Sequence, residues 1–403
     1  MHVVVIGAGV IGVTTAYYLS QLGCEVTVVD RATDVADAAS FGNAGQLSYS
    51  FTDALAKPEF VAKIPGLVAG RDSAYQVRLA PDLVPWGMRF LSQCTRRRAA
   101  ENTVAVLQTA LRSEKLMKDL RDRLSFEFSH RSAGKLVLLA NEAELRSAEN
   151  NATLKIEHGC RTEILDAQAA VEIEPALGRM RQDFVGAVYS EHDSVADPYL
   201  FCKGMKRTLE KNGRVNFRLG ATVRKLVKDG ARVSAIELDD GEVSADAIVV
   251  CTGAWSGQLL RPLGVDPHIY PVRGYSVTLP PGESAPDVSI TVLSKKIVFS
   301  RINGRVRIAG FADFLGFRTE DDDARIATLV EVARDYAPLA AHYDSDEQAQ
   351  WGGFRPMTPN GQPRVEKTPL DGLYLNTGHG MLGWTLACAS GHDIAKLVAH
   401  PLQ

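Results

Sequence analysis

Gly7-Ala8-Gly9-Val10-Ile11-Gly12, entered from an apolar run at 3–6 and followed by an acid at Asp30, carries the clearest chemistry in this chain. The run at 3–6 is expected as a buried parallel strand and Gly7 as the tight turn after it. Gly9 is the point where backbone can approach a pyrophosphate, and Gly12 is where the following helix packs closely. That helix, at 13–21, turns its positive N-terminal end on phosphates. A second strand at 25–29 delivers Asp30 to the two ribose hydroxyls of an adenosine. Its charge would repel a 2′-phosphate, which disfavours NADP. Strand, turn, helix, strand and acid in that order make the glycine pattern specific. A second glycine loop, at 378–383, feeds the last helix and is another anion or dipole site.

The elements that must position these residues occupy a chain of 403 residues, long enough for two domains with a core each. A net charge of −3 and 45% apolar residues argue against a nucleic-acid binder. Thr95-Arg96-Arg97-Arg98 reads as a solvated helix end, the alternative being contact with an anionic membrane surface. Cys24, Cys94, Cys160, Cys202, Cys251 and Cys388 lack CxxC or metal-ligand spacing, so no metal is expected and reduced thiols of a cytoplasmic protein fit best. The apolar start lacks the basic leader and cleavage site of a signal peptide. With no run suited to spanning a bilayer, any membrane contact, such as one at the inner face of the cell membrane, is expected to be peripheral.

Beyond Asp30, the small and polar stretch 38–48 suits close backbone contact with a flat, hydrogen-bonding ligand. Helical periodicity appears at 83–91 and 99–124, a strand at 134–139, and a charged helix at 141–157. An amphipathic helix at 198–212, a strand at 215–219, and strands at 223–226 and 232–238 turning at Asp239-Asp240-Gly241 lead to a strand at 247–251. Strands then follow at 269–279, 288–293, 297–302 and 305–311, with Asn303-Gly304 as a type I′ turn. A helix with an acidic start runs from 320 to about 336. Proline- and glycine-rich loops from Trp351, a strand at 373–376 and a helix at 384–398 complete the chain. The fold class is α/β, α+β overall, with an antiparallel β-sheet domain flanked by helices inserted in the nucleotide domain. The expected division is 1–52, 160–264 and 350–403 for the nucleotide part, and 53–159 and 265–349 for the substrate part.

This split topology, with the Cys251-Thr252-Gly253-Ala254 turn, resembles the FAD-dependent amino-acid oxidoreductases of the D-amino-acid oxidase superfamily, whose nucleotide domain is Rossmann-like and of the glutathione-reductase type. Four segments resemble the bacterial D-amino-acid dehydrogenase small-subunit family in particular: Asn43-Ala44-Gly45-Gln46-Leu47-Ser48, Pro271-Val272-Arg273-Gly274-Tyr275-Ser276, Phe354-Arg355-Pro356-Met357-Thr358-Pro359 and the stretch from Asn376 to Thr385. The resemblance implies non-covalent FAD, held at its ADP part by Gly7, Gly9, Val10, Ile11, Gly12, Asp30 and Arg31. Ser40, Asn43, Ala44, Gly45, Gln46 and Leu47 would run beside the ribityl chain and isoalloxazine. Val223 would pair its backbone with adenine, and Thr252, Gly253, Ala254 and Trp255 would lie near the pyrophosphate and ribityl. Gly378, His379, Gly380, Met381, Leu382, Gly383, Trp384 and Thr385 would aim backbone N–H groups at the flavin pyrimidine edge.

Arg355 is the candidate catalytic residue. Its planar fork matches a carboxylate, and one such contact orients an amino acid so that its α-hydrogen faces the flavin. Tyr49, Tyr275 and His379 are candidate pocket walls. The chemistry implied is oxidation of a D-amino acid by hydride transfer to flavin N5, with hydrolysis of the imine to a 2-oxo acid and ammonia. The amine must be neutral, but its proton can go to water, so no catalytic base is required. The implied partners are a small D-amino acid, a quinone or dye acceptor and, optionally, a partner subunit; nucleic acid is not among them. The alternatives are an oxygen-using D-amino-acid, glycine or sarcosine-type oxidase, a D-proline or hydroxyproline dehydrogenase, and a flavin subunit without turnover.

Overall fold

The first sheet follows from apolar runs that do not alternate, the mark of strands covered on both faces. The computed structural model describes residues 1–400. Its strands in chain order are β1 (His2–Ile6), β2 (Glu25–Asp30), β3 (Gln46–Leu47), β4 (Lys135–Leu139), β5 (Glu163–Asp166), β6 (Gly186–Ser190), β7 (Ser194–Val195), β8 (Val215–Leu219), β9 (Val223–Asp229) and β10 (Arg232–Leu238). They continue with β11 (Gly241–Ser244), β12 (Ala247–Val250), β13 (Tyr270–Leu279), β14 (Ser289–Val292), β15 (Ile297–Ile302), β16 (Arg305–Asp313), β17 (Ala349–Met357), β18 (Arg364–Lys367) and β19 (Leu373–Thr377). The helices are α1 (Val10–Gln21), α2 (Pro58–Val61), α3 (Ile64–Val68), α4 (Leu83–Gln93), α5 (Arg96–Arg121), α6 (Glu142–Glu157), α7 (Ala167–Ile173), α8 (Pro198–Lys211), α9 (Ser256–Leu260), α10 (Asp322–Tyr336) and α11 (Gly383–Ala399).

Six strands form the nucleotide sheet in the order β18-β19-β12-β1-β2-β8, parallel except for the edge strand β18. Val3 and Val5 pack into a core with α1, α8 and α11, while Val4 and Ile6 pack against the β9–β11 sheet on the opposite face. α1 starts at Val10, earlier than the expected 13, because Gly9 is already its N-cap and the glycine loop supplies the first turn. α11 lies directly on α1: a Cβ at Gly391 would stand 3.0 Å from the Thr14 carbonyl carbon.

The second sheet has the order β17-β13-β16-β15-β14-β4-β6-β5. It is antiparallel except for β4 against β14, which run parallel, so it is a mixed sheet and not purely antiparallel. Asn303 and Gly304 both take positive φ, 51° and 74°, at the expected I′ turn. Alternation assigns its two faces. Leu136, Leu138, Ile290, Val292, Ile297 and Phe299 enter a core with α4, α7 and α10, while Lys135, Val137, Thr291 and Val298 point to a cavity.

The segment beginning at 349 is a strand, where loops were expected. Gly352, Gly353 and Pro356 hide it, yet β17 is the edge strand of its sheet, where a proline is tolerated. Three strands therefore pair across the expected division: β5 and β6, within 160–264, and β17, almost wholly within 350–403, all belong to the eight-stranded sheet. Among the described residues no helix is long and apolar enough to cross a membrane, and no cluster of side chains is suited to a metal.

Candidate active site

A cavity of about 980 Å³ runs between the two sheets, from Asp30 and Val223 at one end to Arg355, Tyr75 and Phe314 at the other. At the first end β1 delivers the glycine turn. Gly7 holds φ +110°, donates to Val29 O at 2.8 Å, and has no room for a side chain, since a Cβ would stand 2.7 Å from Cys251 O. Gly9 is different in kind: its nearest neighbour would be Ser40 Oγ at 3.4 Å, so the space beside it is open to the cavity. Gly12 lies against the turn itself, with a Cβ only 1.8 Å from Gly7 O. Ser40 Oγ accepts from Val10 N at 3.0 Å and so covers one of the free N–H groups of α1.

Asp30 ends β2 with both carboxylate oxygens engaged. Oδ2 accepts from Ala8 N at 2.7 Å and Oδ1 from Ala32 N at 2.9 Å. Each oxygen keeps lone-pair capacity for a hydroxyl donor, so the residue braces the glycine loop while it faces the cavity. Arg31 lies over the Trp255 ring, 4.4 Å from its centroid. Beyond the turn after β12, Ser256 Oγ is within 3.1 Å of Thr252 Oγ1 and 2.8 Å of Thr377 Oγ1, which ties the two returning strands together.

Most of the residues expected at a cofactor line this cavity: Gly7, Gly9, Val10, Ile11, Asp30, Arg31, Ser40, Asn43, Ala44, Gln46, Val223, Thr252 to Trp255, and His379 to Trp384. Gly12, Gly45, Leu47, Gly378 and Thr385 stand behind the wall. Gly45 and Gly378 are left-handed turns pressed on Ile302 and Thr358, Leu47 is in the core, and Thr385 Oγ1 accepts from Ser48 N at 3.0 Å. Tyr49 is not a pocket wall. It is 4% exposed in the core with α5 and α11, while Ser48 and Ser50 on either side of it line the cavity.

At the other end, Arg355 projects from β17 across β13. Its Nη1 donates to Phe311 O at 2.6 Å and its Nη2 reaches Gly310 O at 3.4 Å. The guanidinium occupies the space over Gly274, where a Cβ would come within 2.3 Å of Cζ. Phe311 adopts φ +60°, one of few non-glycine residues to do so, as it presents that carbonyl. No carboxylate among the described residues forms an ion pair with Arg355. The nearby Asp313 is bound by Arg325 at 2.7 and 2.8 Å. Burial pulls the Arg355 guanidinium below its usual range, opposed by Asp313, Tyr75 and Tyr275. A half-buried cation that no carboxylate pairs directly favours an anion brought by a ligand.

Tyr275 lines the cavity with its ring, but its hydroxyl donates to Asp313 Oδ2 at 2.9 Å, and burial beside that carboxylate raises the phenol. His379 is 3% exposed, its Nε2 has no partner, and burial lowers it to about 3, so it is neutral over the working range. Two polar side chains escaped the sequence reading. Lys135 is 2% exposed; its Nζ donates to Gln46 Oε1 and Ser48 Oγ, both at 2.8 Å, and lies 4.5 Å from the Phe51 ring centroid. Burial brings Lys135 down to about 8, opposed by Asp193. Lys155 donates to Asp53 Oδ2 at 2.6 Å and Ser50 O at 3.1 Å. The one available signal was a lysine at an inward position of an otherwise apolar strand.

The residues present fit a bound dinucleotide cofactor. The open space at Gly9 is a cradle that a side chain would fill, and Gln46 Nε2 and His379 Nε2, both buried in the wall, have no partner within the protein. Comparison with known proteins agrees. The model of the FAD dependent oxidoreductase family matches residues 2–397. D-amino acid dehydrogenase 2 of Ralstonia nicotianae is 39% identical over 99% of this chain and 96% of its own length. The D-amino acid dehydrogenase of Vibrio cholerae is 36% identical, with 99% and 95% covered. Among solved structures, L-proline dehydrogenase from P. horikoshii superposes with a TM-score of 0.76 at 17% identity, over 100% of this chain and 94% of that one. Glycine oxidase from Bacillus cereus gives 0.74 at 21%, with 100% and 96% covered. These two likenesses are of fold.

Proposed function

This chain belongs to the FAD-dependent oxidoreductase family, and from that premise we propose that it is a D-amino-acid dehydrogenase that converts D-amino acids to 2-oxo acids and ammonia. The observation that carries the substrate reading is Arg355, a half-buried cation in the cavity wall whose hydrogen bonds go to backbone carbonyls and which no carboxylate among the described residues pairs. The names of the relatives at 36–39% identity support the D configuration. FAD supplies the acceptor for the hydride leaving the α-carbon. Gly7, Gly9, the start of α1 and Asp30 would hold its ADP part, and the loops 40–46 and 379–384 its flavin end.

The side chains of this protein then have limited tasks. Arg355 holds the carboxylate as a fork and fixes the α-carbon, so the main contribution is orientation. The rings of Tyr75, Tyr275 and Phe314 exclude water around it. His379, neutral and buried, offers a polar contact and no proton in the working range. No side chain is required as base, because the substrate ammonium can lose its proton to water before binding. Electrons leave to a quinone or dye. An apolar quinone would be met at a membrane surface, where the protein would be a peripheral visitor.

The test is anaerobic mixing of the yellow holoenzyme with D-alanine, D-proline, glycine, sarcosine and the L-amino acids while flavin absorbance is followed. Bleaching by D-amino acids that recovers quickly with a quinone and slowly in air is the expected result. Immediate recovery in air would replace the dehydrogenase by an oxidase, and no bleaching by any D-amino acid would overturn the substrate reading.

A further inference from the structure

Lys135 opens β4, a strand buried from end to end whose other residues, Leu136 to Leu139, are all apolar. Stability does not call for it there, since an apolar side chain of similar size would avoid the cost of taking an ammonium out of water. Nor does a carboxylate hold it. Among the described residues Lys135 forms no ion pair: the nearby Asp193 accepts from Ser50 N at 3.1 Å and Ser50 Oγ at 2.7 Å, and Asp53 is taken by Lys155. Across the sheet Lys135 stands in register with Ser190 on β6 and Ser289 on β14. The ammonium bonds neither; Ser190 Oγ turns to Thr162 and Ser289 Oγ has no partner. It leaves the sheet instead and donates to Gln46 Oε1 and Ser48 Oγ, both at 2.8 Å.

Gln46 shows what that contact does. An ammonium only donates, so the Gln46 carboxamide must turn its oxygen to Lys135 and its NH2 group away. Nε2 is buried in the cavity wall and has no partner in the protein, a donor in want of an acceptor. The backbone of Gln46 is fixed separately, by the pairing of β3 with β7 and by Ala196 N donating to Gly45 O at 2.8 Å. Its side chain has no such support: among the described residues Lys135 is its only hydrogen-bond partner. A cation on the amide oxygen also strengthens the N–H groups as donors. Through Ser48, whose N donates to Thr385 Oγ1 at 3.0 Å, the same ammonium joins the loop around β3 to the start of α11.

We propose that Lys135 is a positioning residue: it fixes and polarises the Gln46 carboxamide so that Nε2 donates to an acceptor atom of the bound flavin ring, which favours the negative charge gathered there on reduction. This rests on the placement of the flavin end beside the loops 40–46 and 379–384 given above. The substrate carboxylate is the rival acceptor for the same N–H. It is the poorer one, because Arg355, which would hold that carboxylate, donates to carbonyls of β16, three strands from β4 and about 14 Å across the sheet.

The test is the midpoint potential of the flavin in the holoenzyme at pH 7, measured by equilibration with reference dyes and without any amino acid, for wild type, Lys135→Met, Gln46→Met and the double variant. Both single variants should keep their flavin, and each should lower the potential by about 30 mV, a tenfold change in a two-electron equilibrium. The double variant should fall no further than the lower single one, because Lys135 acts through Gln46. An unchanged potential in either single variant overturns the proposal. So does a double variant that falls by the sum of the two, which would make the ammonium an independent charge. A raised KM for D-amino acids with the potential unchanged overturns it in favour of the substrate as acceptor. Loss of flavin from Lys135→Met overturns it as well, since the lysine would then hold the pocket together and not tune it; Gln46→Met, which alters a half-buried side chain, still reads the amide on its own. The potential is measured without an amino acid, so a failed substrate reading, seen as absent bleaching, leaves this inference standing, and the reverse holds too.

Discussion

Gly274 and Arg355 are a pair whose sequence separation conceals a direct dependence. The glycine has no special backbone demand in β13; what it supplies is absence, because a methyl group there would stand 2.3 Å from the guanidinium carbon. Gly274→Ala should therefore push the fork off the Phe311 carbonyl without disturbing the nucleotide end. We expect normal flavin content, a KM for the D-amino acid raised at least about tenfold, and a lower kcat because orientation is lost. Arg355→Ala should exceed it, as a charge-assisted bidentate contact contributes roughly 2–3 kcal/mol, about 30- to 150-fold in kcat/KM. Arg355→Lys should recover only part, since an ammonium keeps the charge and loses the fork. Steady-state kinetics with flavin content measured in parallel checks all three. An alanine at 274 with unchanged KM would detach the glycine from this role, and an unchanged KM in Arg355→Ala would remove the carboxylate assignment.

The glycine turn that joins β1 to α1 shows how far an element can be read from sequence. The β1–α1–β2 unit was legible because its signals are local: an apolar run, three glycines at fixed spacing and an acid at the end of the next strand. The structure gives each glycine a separate reason, and Gly12 has the least tolerance, with its missing Cβ 1.8 Å from Gly7 O. Gly12→Ala should force the turn apart and yield protein with little bound flavin, measured as the 450 nm to 280 nm absorbance ratio; full occupancy would mean that the helix can shift without loss of the site. β17 was not legible, although it carries Arg355, because Gly352, Gly353 and Pro356 speak for a loop and only pairing with β13 makes a strand of them. Tyr49 was misplaced for a related reason. Its neighbours Ser48 and Ser50 line the cavity, but the chain bends there and turns Tyr49 into the core, which nothing in the local sequence marks. Lys135 stayed hidden since nothing local shows that an inward lysine meets Gln46 and Ser48 across a domain boundary.

At the scale of the molecule, the buried titratable groups pull stability in two directions as pH falls. Burial takes His379 to about 3, and burial with the Arg121 charge takes His130 to about 4. The unfolded chain protonates both near 6.5, so below that pH it binds protons that the native state refuses. Stability from this source is complete above about pH 6.5 and is lost as pH falls toward 4, by up to about 1.4 kcal/mol per pH unit for each histidine. Glu114, Asp193 and Asp313 act the other way, since burial holds their carboxyls up and the native state takes their protons first. The wild-type profile alone would mix the two sets, but a difference between proteins separates them. His130 is the cleaner test because it lies outside the cavity and bound cofactor does not reach it. An Arg121 nitrogen stands 2.8 Å from its ring, a contact that requires a neutral imidazole as acceptor. His130→Asn keeps a hydrogen-bond acceptor and cannot titrate. In urea unfolding of the holoenzyme at pH 7, 6 and 5, the variant should lose less stability per pH unit than wild type, with the gap opening only below about 6.5. Parallel profiles would show that His130 takes up its proton in the folded protein as readily as in the unfolded chain, and would leave acid lability to the carboxylates.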